Sequence, residues 1–589
     1  MPLIALKAGF LQVQFDPALG VIGSVFAGRH EVLRGIGAPV RDHAWGTVRP
    51  VLSRLSIKQD TGSFRVTFAA RCRSGPVDFA WQGLVLGTAD GRLAFEFTGR
   101  ARRKFLANRI GFCVLHPAGG RSGRCRVEHA DGQIEHTRFP RHIAPRQPFL
   151  DVRAIRHPVQ SGVWAEVRLE GDDFETEDQR NWTDASFKTY CRSLTRPFPF
   201  TVSPGERISQ RITLTWPGGP PSLRPTRQVP WSAPREVRIF VGRKRGPKLP
   251  PLGTGWHAQA VQPEIFAALR RMKLAHLRVD LDLAHPRHLS RLRVAARTVT
   301  RLGCALEPAL ILSRSVATSL LALRNALTAL SPAVRIARWL VFDRQHGPVR
   351  PECLAAVRAT FAGSPFAAPV GTGAKENFTE LNRHRRGLRG ADFTVHALNP
   401  QVHAFDDDSV RQTLPIQGLT VLEARRISRG RPVVVSSVNL TRRWRRGEAG
   451  APAADCGLPP FQTDIRQTRP FCAAWTLGSI VSLASAGATS LTYHEAAGPN
   501  GILGEGGVER PVARIFRLVA ALAARSMCHV RSSHPQHVTA LAVQENAGCR
   551  VLLANLGDAP QQVCLSGSRG VRTVRLAPHG VRSFLIRTI

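Results

Sequence analysis

At 589 residues the chain is too long for one hydrophobic core, and roughly two to four domains are expected. A hydrophobic content of 43% excludes a largely disordered chain. The formal net charge of +40 raises nucleic acid as a partner, but the distribution of charge argues against it. The basic residues are nearly all Arg and are spread along the whole length. The strongest local cluster, Arg442-Arg443-Trp444-Arg445-Arg446, is short. No zinc-finger spacing, RNA-binding sheet motif or basic zipper accompanies it.

The 11 cysteines contain no CxxC pair, which points to free thiols in a reducing compartment. The first residues lack a basic start followed by an apolar run, so no signal peptide is expected. An uncharged stretch over 471–493 is long enough to span a bilayer, but it is rich in Ser, Thr, Ala and Gly. It reads better as a helix followed by a buried strand. No membrane association is expected, and the cytoplasm is the default location.

In chain order, residues 1–235 read as short alternating strands broken by turns, such as 63–68 and 91–97. Strands without intervening helices predict an N-terminal β-sandwich. A Pro- and Gly-rich stretch over 217–234 reads as a linker. From 236 to 526 apolar strands alternate with helical patterns. Eight strands are predicted, at 252–256, 276–280, 305–312, 339–343, 368–372, 392–396, 432–436 and 489–493, with helices over 263–273 and 315–330 among them. This is the size and rhythm of a (β/α)8 TIM barrel. Residues 527–589 return to strands, at 538–544, 549–556, 561–566, 571–576 and 581–586, and predict a small C-terminal β-domain.

A TIM barrel carries its chemistry at the C-terminal ends of its strands. That rule selects Asp343, Arg344 and Gln345 after the fourth strand, and Lys375, Glu376, Asn377, Asn382 and Arg383 after the fifth. It selects Asn399, Gln401, His403 and Asp406 after the sixth, Ser436, Ser437 and Asn439 after the seventh, and Tyr493, His494 and Glu495 after the eighth. Such a ring of carboxylates, amides and imidazoles suits a polyhydroxylated ligand, whose hydroxyls need both donors and acceptors.

A second feature lies in the N-terminal region. Residues 170–184 hold seven acidic side chains, Glu170, Asp172, Asp173, Glu175, Glu177, Asp178 and Asp184. The bland reading is a solvated acidic turn. Interleaved Trp182, Phe187 and Tyr190 weigh against it. The chain has two tyrosines, and Tyr190 stands here beside one of its few lysines, Lys188. A composition so poor in Tyr and Lys that keeps both together points to a functional need.

The run EDQRNWTDASFKTYC over 177–191 resembles the hallmark segment of the D-apionate lactonase family. So do NRIGFCVLHP over 108–117, NPQVHAFD over 399–406 and TYHE over 492–495. The resemblance covers all three proposed domains. It implies a carboxylic-ester hydrolase that opens D-apionolactone to D-apionate in apiose catabolism.

Lactone hydrolysis needs a base for water, donors for the oxyanion and an acid for the leaving ring oxygen. The candidate bases are Glu495, Glu177 and Asp178. Lys188, Tyr190 and Arg180 could donate to the oxyanion, and His403 or His494 could relay the proton. Asn181, Asp184, Asn377, Asn399, Gln401 and Tyr493 could read substrate hydroxyls. This scheme requires the 177–190 segment to lie over the barrel mouth. Blander roles are open as well: a carbonyl bond for His403, a helix cap for Asp406, a structural pair for Arg383. No cofactor is expected. No HExxH motif suggests a metal and no GxSxG elbow suggests a serine hydrolase. The expected partner is a small sugar lactone; oligomeric state is not legible. Two rivals remain. A retaining glycosidase needs two carboxylates about 5 Å apart. The usual positions after strands four and seven hold Asp343 and Ser436 or Asn439 instead of a Glu pair. A non-catalytic carbohydrate-binding protein is the other.

Overall fold

The computed structural model describes residues 3–118, 123–221, 233–257, 261–313, 315–330, 334–344, 347–443, 463–546, 548–567 and 570–586. Most of the proposed linker, Gln345 and the Trp444–Arg446 part of the basic cluster fall outside these. The chain divides into two compact units. The first is Met1–Arg180 with Ala185–Ser232, and the second is Asn181–Asp184 with Ala233–Ile589.

The first unit is all β, with sheets of eight, nine and four strands. Its sequence shows why. In Phe64–Ser74 the residues Phe64, Val66, Phe68, Ala70 and Cys72 are buried, while Arg65, Arg71 and Arg73 face out. That strand pairs antiparallel with Val77–Gly87, which alternates likewise. The two large sheets share one core. Phe15 of the eight-stranded sheet lies 5.9 Å from Phe68 of the nine-stranded one, and Phe68 meets Trp81 at 5.2 Å and Phe95 at 6.3 Å. Gly83 makes room for this cluster, because a Cβ there would come 2.3 Å from the Phe68 ring. The expected sandwich is therefore present.

The second unit holds the barrel. Its strands are Leu252–Gly255, His276–Asp282, Ala305–Ile311, Trp339–Phe342, Val370–Ala374, Phe393–Leu398, Val433–Val438 and Ser490–Ala497. All pair in parallel, and the first also pairs with the eighth, Leu252 opposite Leu491, which closes the ring. The uncharged 471–493 stretch is indeed a helix, Pro470–Ser485, followed by the eighth strand. Among the described residues no helix is long and apolar enough to cross a membrane. Asp406 takes the cap role, accepting from Ser409 N at 2.8 Å ahead of the helix Asp407–Gln412.

One expectation shifts. The strand Glu236–Lys248 joins the C-terminal sheet, not the barrel. It pairs parallel with Gln561–Gly567 and antiparallel with Ser526–Ser532. Its alternation buries Val237, Ile239 and Val241 in the C-terminal core beside Val551 and Leu565. Hydrophobic period identifies a strand but not its partner.

The sandwich core supplies the first prediction. Phe95→Ala removes a fully buried ring and should lower unfolding free energy by about 3–5 kcal/mol in urea denaturation. A loss below about 1 kcal/mol would mean the ring is not central to the core.

Candidate active site

The second barrel strand carries polar residues at alternate positions, His276, Arg278 and Asp280, and they reach across the lumen. Arg278, fully buried, donates to Asp280 Oδ1 at 2.8 Å and to Ser436 Oγ on the seventh strand at 3.1 Å. Ser436 and Thr492 both donate to Glu307 Oε1, at 2.6 and 3.1 Å. His276 lies 2.8 Å from Thr492 Oγ1. Above this layer Arg443 bridges two carboxylates, reaching Asp280 Oδ2 at 2.8 Å and Glu495 Oε1 at 3.0 Å. Burial opposes ionisation of Asp280, yet Arg278 and Arg443 hold its carboxyl well below the usual range. Gly255 leaves space for the Glu495 carboxylate, since a Cβ there would come 2.7 Å from Oε2.

At the strand ends lies a cleft that opens to solvent. Lys375, Glu376 and Asn377 from the fifth strand end, Asn399 from the sixth, and Asn439 and Arg443 from the seventh line it. Trp182 closes one wall. Asn399 Nδ2 donates to Asn377 Oδ1 at 3.2 Å. Glu380 accepts from Asn377 N at 2.9 Å in a capping box that starts the helix Phe378–Arg383. Two groups here are displaced toward neutrality. Burial pushes the Lys375 amine down to about 7, assisted by Arg278 and Arg443 and opposed by Asp280 and Glu376. Burial, with repulsion from Glu376, pushes the Glu380 carboxyl up to about 7.

Of the predicted site residues, Asn377 and Asn399 line the cleft, and Glu495 sits behind Arg443. The four residues Asn181–Asp184 of the hallmark segment belong to the barrel unit. Asn181 accepts from Asn382 Nδ2 at 2.9 Å. Asp184 Oδ2 lies 2.7 Å from His403 Nδ1, and Trp182 meets the His403 ring edge-on at 5.2 Å.

Other predictions are corrected. Tyr493 is fully buried and donates to Ser479 Oγ at 2.7 Å, on the helix outside the barrel. His494 faces that helix too, 3.0 Å from Thr476 Oγ1, and burial pushes it down to about 3, so it is neutral. Gln401 is bound to Leu440 O, Asp464 and Arg466, each at 2.6 Å. Its amide is structural. Within the sandwich unit the Tyr190 hydroxyl is given to Glu175 and accepts from Gln147 at 3.1 Å, which leaves no proton for an oxyanion. Glu177 and Lys188 are an ion pair across neighbouring strands. Asp178 and Arg180 form a two-point buried pair, at 2.8 and 2.7 Å. Arg180 also donates to Pro140 O at 2.6 Å, and Asp178 accepts from Ala144 N at 2.9 Å.

Sequence reading missed Arg278, Asp280, Glu307 and Arg443, and gave Lys375 no role. A signal existed. HLRVD places a polar group at every second position of a strand that is otherwise apolar, which in a closed barrel means the lumen.

Comparisons with known proteins bear on this site. Three domain families match, described as D-apionate lactonase N-terminal domain over residues 2–219, TIM barrel domain over 253–524 and C-terminal immunoglobulin-like domain over 535–584. A D-apionate lactonase of Brucella anthropi is 32% identical, over 95% of this chain and 94% of its own. The chain belongs to the D-apionate lactonase family. It is thereby a carboxylic-ester hydrolase. Among solved structures, a GH30 endoxylanase of Clostridium papyrosolvens is 12% identical, covering 60% of this chain and all of its own at a TM-score of 0.42. A family 51 α-L-arabinofuranosidase of Bifidobacterium longum is 12% identical, covering 59% and 94% at 0.44.

In this member of the D-apionate lactonase family the Asp178–Arg180 pair fastens the sandwich unit from within. Asp178→Asn leaves the buried Arg180 charge poorly compensated and should destabilise the protein by about 3–5 kcal/mol. The kcat of the fraction that remains folded should stay within about threefold of the parent. A kcat collapse without loss of thermal stability would return Asp178 to the chemistry.

Proposed function

We propose that the protein hydrolyses D-apionolactone to D-apionate in apiose catabolism, and that the barrel cleft performs the reaction with Lys375 as its proton carrier. The observation that carries this reading is a buried amine, held near neutrality, in a cleft lined by amide and guanidinium donors. A base works best when its pKa lies near the working pH. In the proposed cycle the neutral Lys375 amine takes a proton from water as the water oxygen bonds to the lactone carbonyl carbon. Arg443 and Asn439 face the carbonyl oxygen as it becomes negative. The tetrahedral adduct then collapses, the bond from carbon to ring oxygen breaks, and the Lys375 ammonium returns its proton to that oxygen. The new carboxylic acid loses its own proton to solvent. Asn377 and Asn399 hold the substrate hydroxyls, and the Asp184–His403 pair with Trp182 forms the wall against them.

The same relationship to a lactonase disfavours the glycosidase reading. The free state of every described cysteine supports a reducing compartment, and we place the protein in the cytoplasm, acting on a small sugar lactone rather than on nucleic acid or membrane.

Proton release from D-apionolactone tests the scheme. Lys375→Met should lower kcat by roughly 10²–10⁴. Lys375→Arg should fare no better, because it keeps the charge but holds its proton at every working pH. An active Lys375→Arg variant would reduce the lysine to an electrostatic part.

The pH profile is a separate check. With a neutral amine as base, kcat/KM rises with pH up to about 7 and then levels. Glu376 opposes the fall in the Lys375 pKa, so Glu376→Gln should move the rising limb to lower pH. A limb that stays in place or moves up would assign it to another group.

A further inference from the structure

Arg109 in the sandwich unit has an environment that the barrel chemistry does not use. Its side chain is 97% buried, at 3% relative exposure. Among the described residues its Nε has no hydrogen-bond partner, and no carboxylate pairs with its guanidinium. The group stacks over the Tyr190 ring at 3.7 Å and lies 5.5 Å from the Trp45 ring. Stacking satisfies the faces of a guanidinium and leaves its N–H edge unspent. Arg41 stands directly opposite Arg109 in the antiparallel register. Like charges in that relation repel. Lys188 lies 5.0 Å from the same tyrosine ring.

Glu177 is engaged by Lys188. Burial works against the Glu177 charge, yet Lys188, Arg109 and Arg41 together hold its carboxyl below the ordinary range. Glu175 offers little to the arginines. It accepts from the Tyr190 hydroxyl, from Ser193 Oγ at 2.7 Å and from Leu194 N at 3.1 Å. Lys188, Arg109 and Arg41 thus gather at Glu177, which Lys188 already pairs. A buried guanidinium N–H without an acceptor, such as Arg109 Nε, is costly, and folds keep such groups where a ligand completes them.

We propose that the sandwich unit carries an anion site, built on Arg109 with Arg41 and Lys188, that takes the carboxylate of a polyhydroxylated sugar acid. The planar fork of Arg109 fits a carboxylate by two parallel hydrogen bonds. The identity of the acid rests on the lactonase reading, in which the acid is the product; the existence of the anion site does not.

The test is calorimetric titration of the full-length protein with D-apionate, with its uncharged alditol apiitol, and with inorganic phosphate. It is repeated in the double variant Lys375→Met/Asn399→Ala, which removes the base of the barrel cleft and one of its proposed hydroxyl contacts. In both backgrounds Arg109→Met should weaken D-apionate binding at least tenfold and leave apiitol unaffected. Arg109→Lys keeps a charge in the same place but loses the fork, and should weaken it similarly if the methionine variant folds poorly. In the cleft double variant, D-apionate should raise the thermal midpoint with Arg109 intact but not with Arg109→Met or Arg109→Lys. Unchanged D-apionate affinity in both variants overturns the site. So does Arg109-dependent binding of phosphate with no binding of D-apionate. Failure of the lactonase reading shows elsewhere, as absence of D-apionolactone turnover by the parent protein.

Discussion

Charges taken out of water must be paired, and the interior of this barrel is arranged around that requirement. Arg278 and Arg443 converge on Asp280 from two sides, and Arg443 continues to Glu495. Neither arginine can be exchanged for an apolar residue without stranding a carboxylate. The network ties the second, third, seventh and eighth strands together through Arg278, Glu307, Ser436 and Thr492. It also sets the field at the cleft. Burial disfavours a charged amine at the fifth strand end, and the guanidinium groups of Arg278 and Arg443 add to this, so the Lys375 amine is pushed down to about 7. The structural network and the proposed chemistry are therefore one electrostatic arrangement.

Much of the architecture was legible because strand period and barrel rhythm are written in short windows. The eight barrel strands and the change of texture near the C-terminus follow from apolar runs alone. Partner choice does not, and Glu236–Lys248 joins the C-terminal sheet through contacts more than 300 residues away in sequence, such as Ile239 with Leu565. The eighth strand shows a subtler failure. Strict alternation places Tyr493 and Glu495 on one face and His494 on the other. His494 instead has φ of +51°, and the register slips there, Thr254 pairing with Tyr493 but Gly255 with Glu495. This bulge turns both Tyr493 and His494 to the outer helix and Glu495 alone inward. Of the three polar residues in this motif, Glu495 alone joins the lumen network, through Arg443.

The hallmark segment divides in the same physical way. Residues Asn181–Asp184 belong to the barrel unit and bring Trp182 to the cleft and Asp184 to His403. The flanking residues are spent inside the sandwich. Cross-strand register sets Glu177 against Lys188 and Glu175 against Tyr190. The scarcity of Tyr and Lys in this chain did mark a special environment. The Tyr190 proton is given to Glu175 and the Lys188 ammonium is paired with Glu177, and composition cannot distinguish such engagements from a direct part in the chemistry.

The excess of arginine has a consequence for Lys375. Arginine serves well wherever a permanent charge must hold a carboxylate in two-point geometry, and Arg180 and Arg466 do so here. A chain with 82 basic residues, nearly all arginine, uses lysine sparingly, and its other buried lysine, Lys188, is paired with Glu177. The guanidinium is unsuited to one task, which is to give up its proton near neutrality. Lys375 is 2% exposed, stands at the end of a barrel strand and lines the cleft. Permanent charge at that point is already supplied by Arg443 and Arg278. What a lysine adds there is a proton that can leave, and this is the property that the proposed lactone hydrolysis asks of its base.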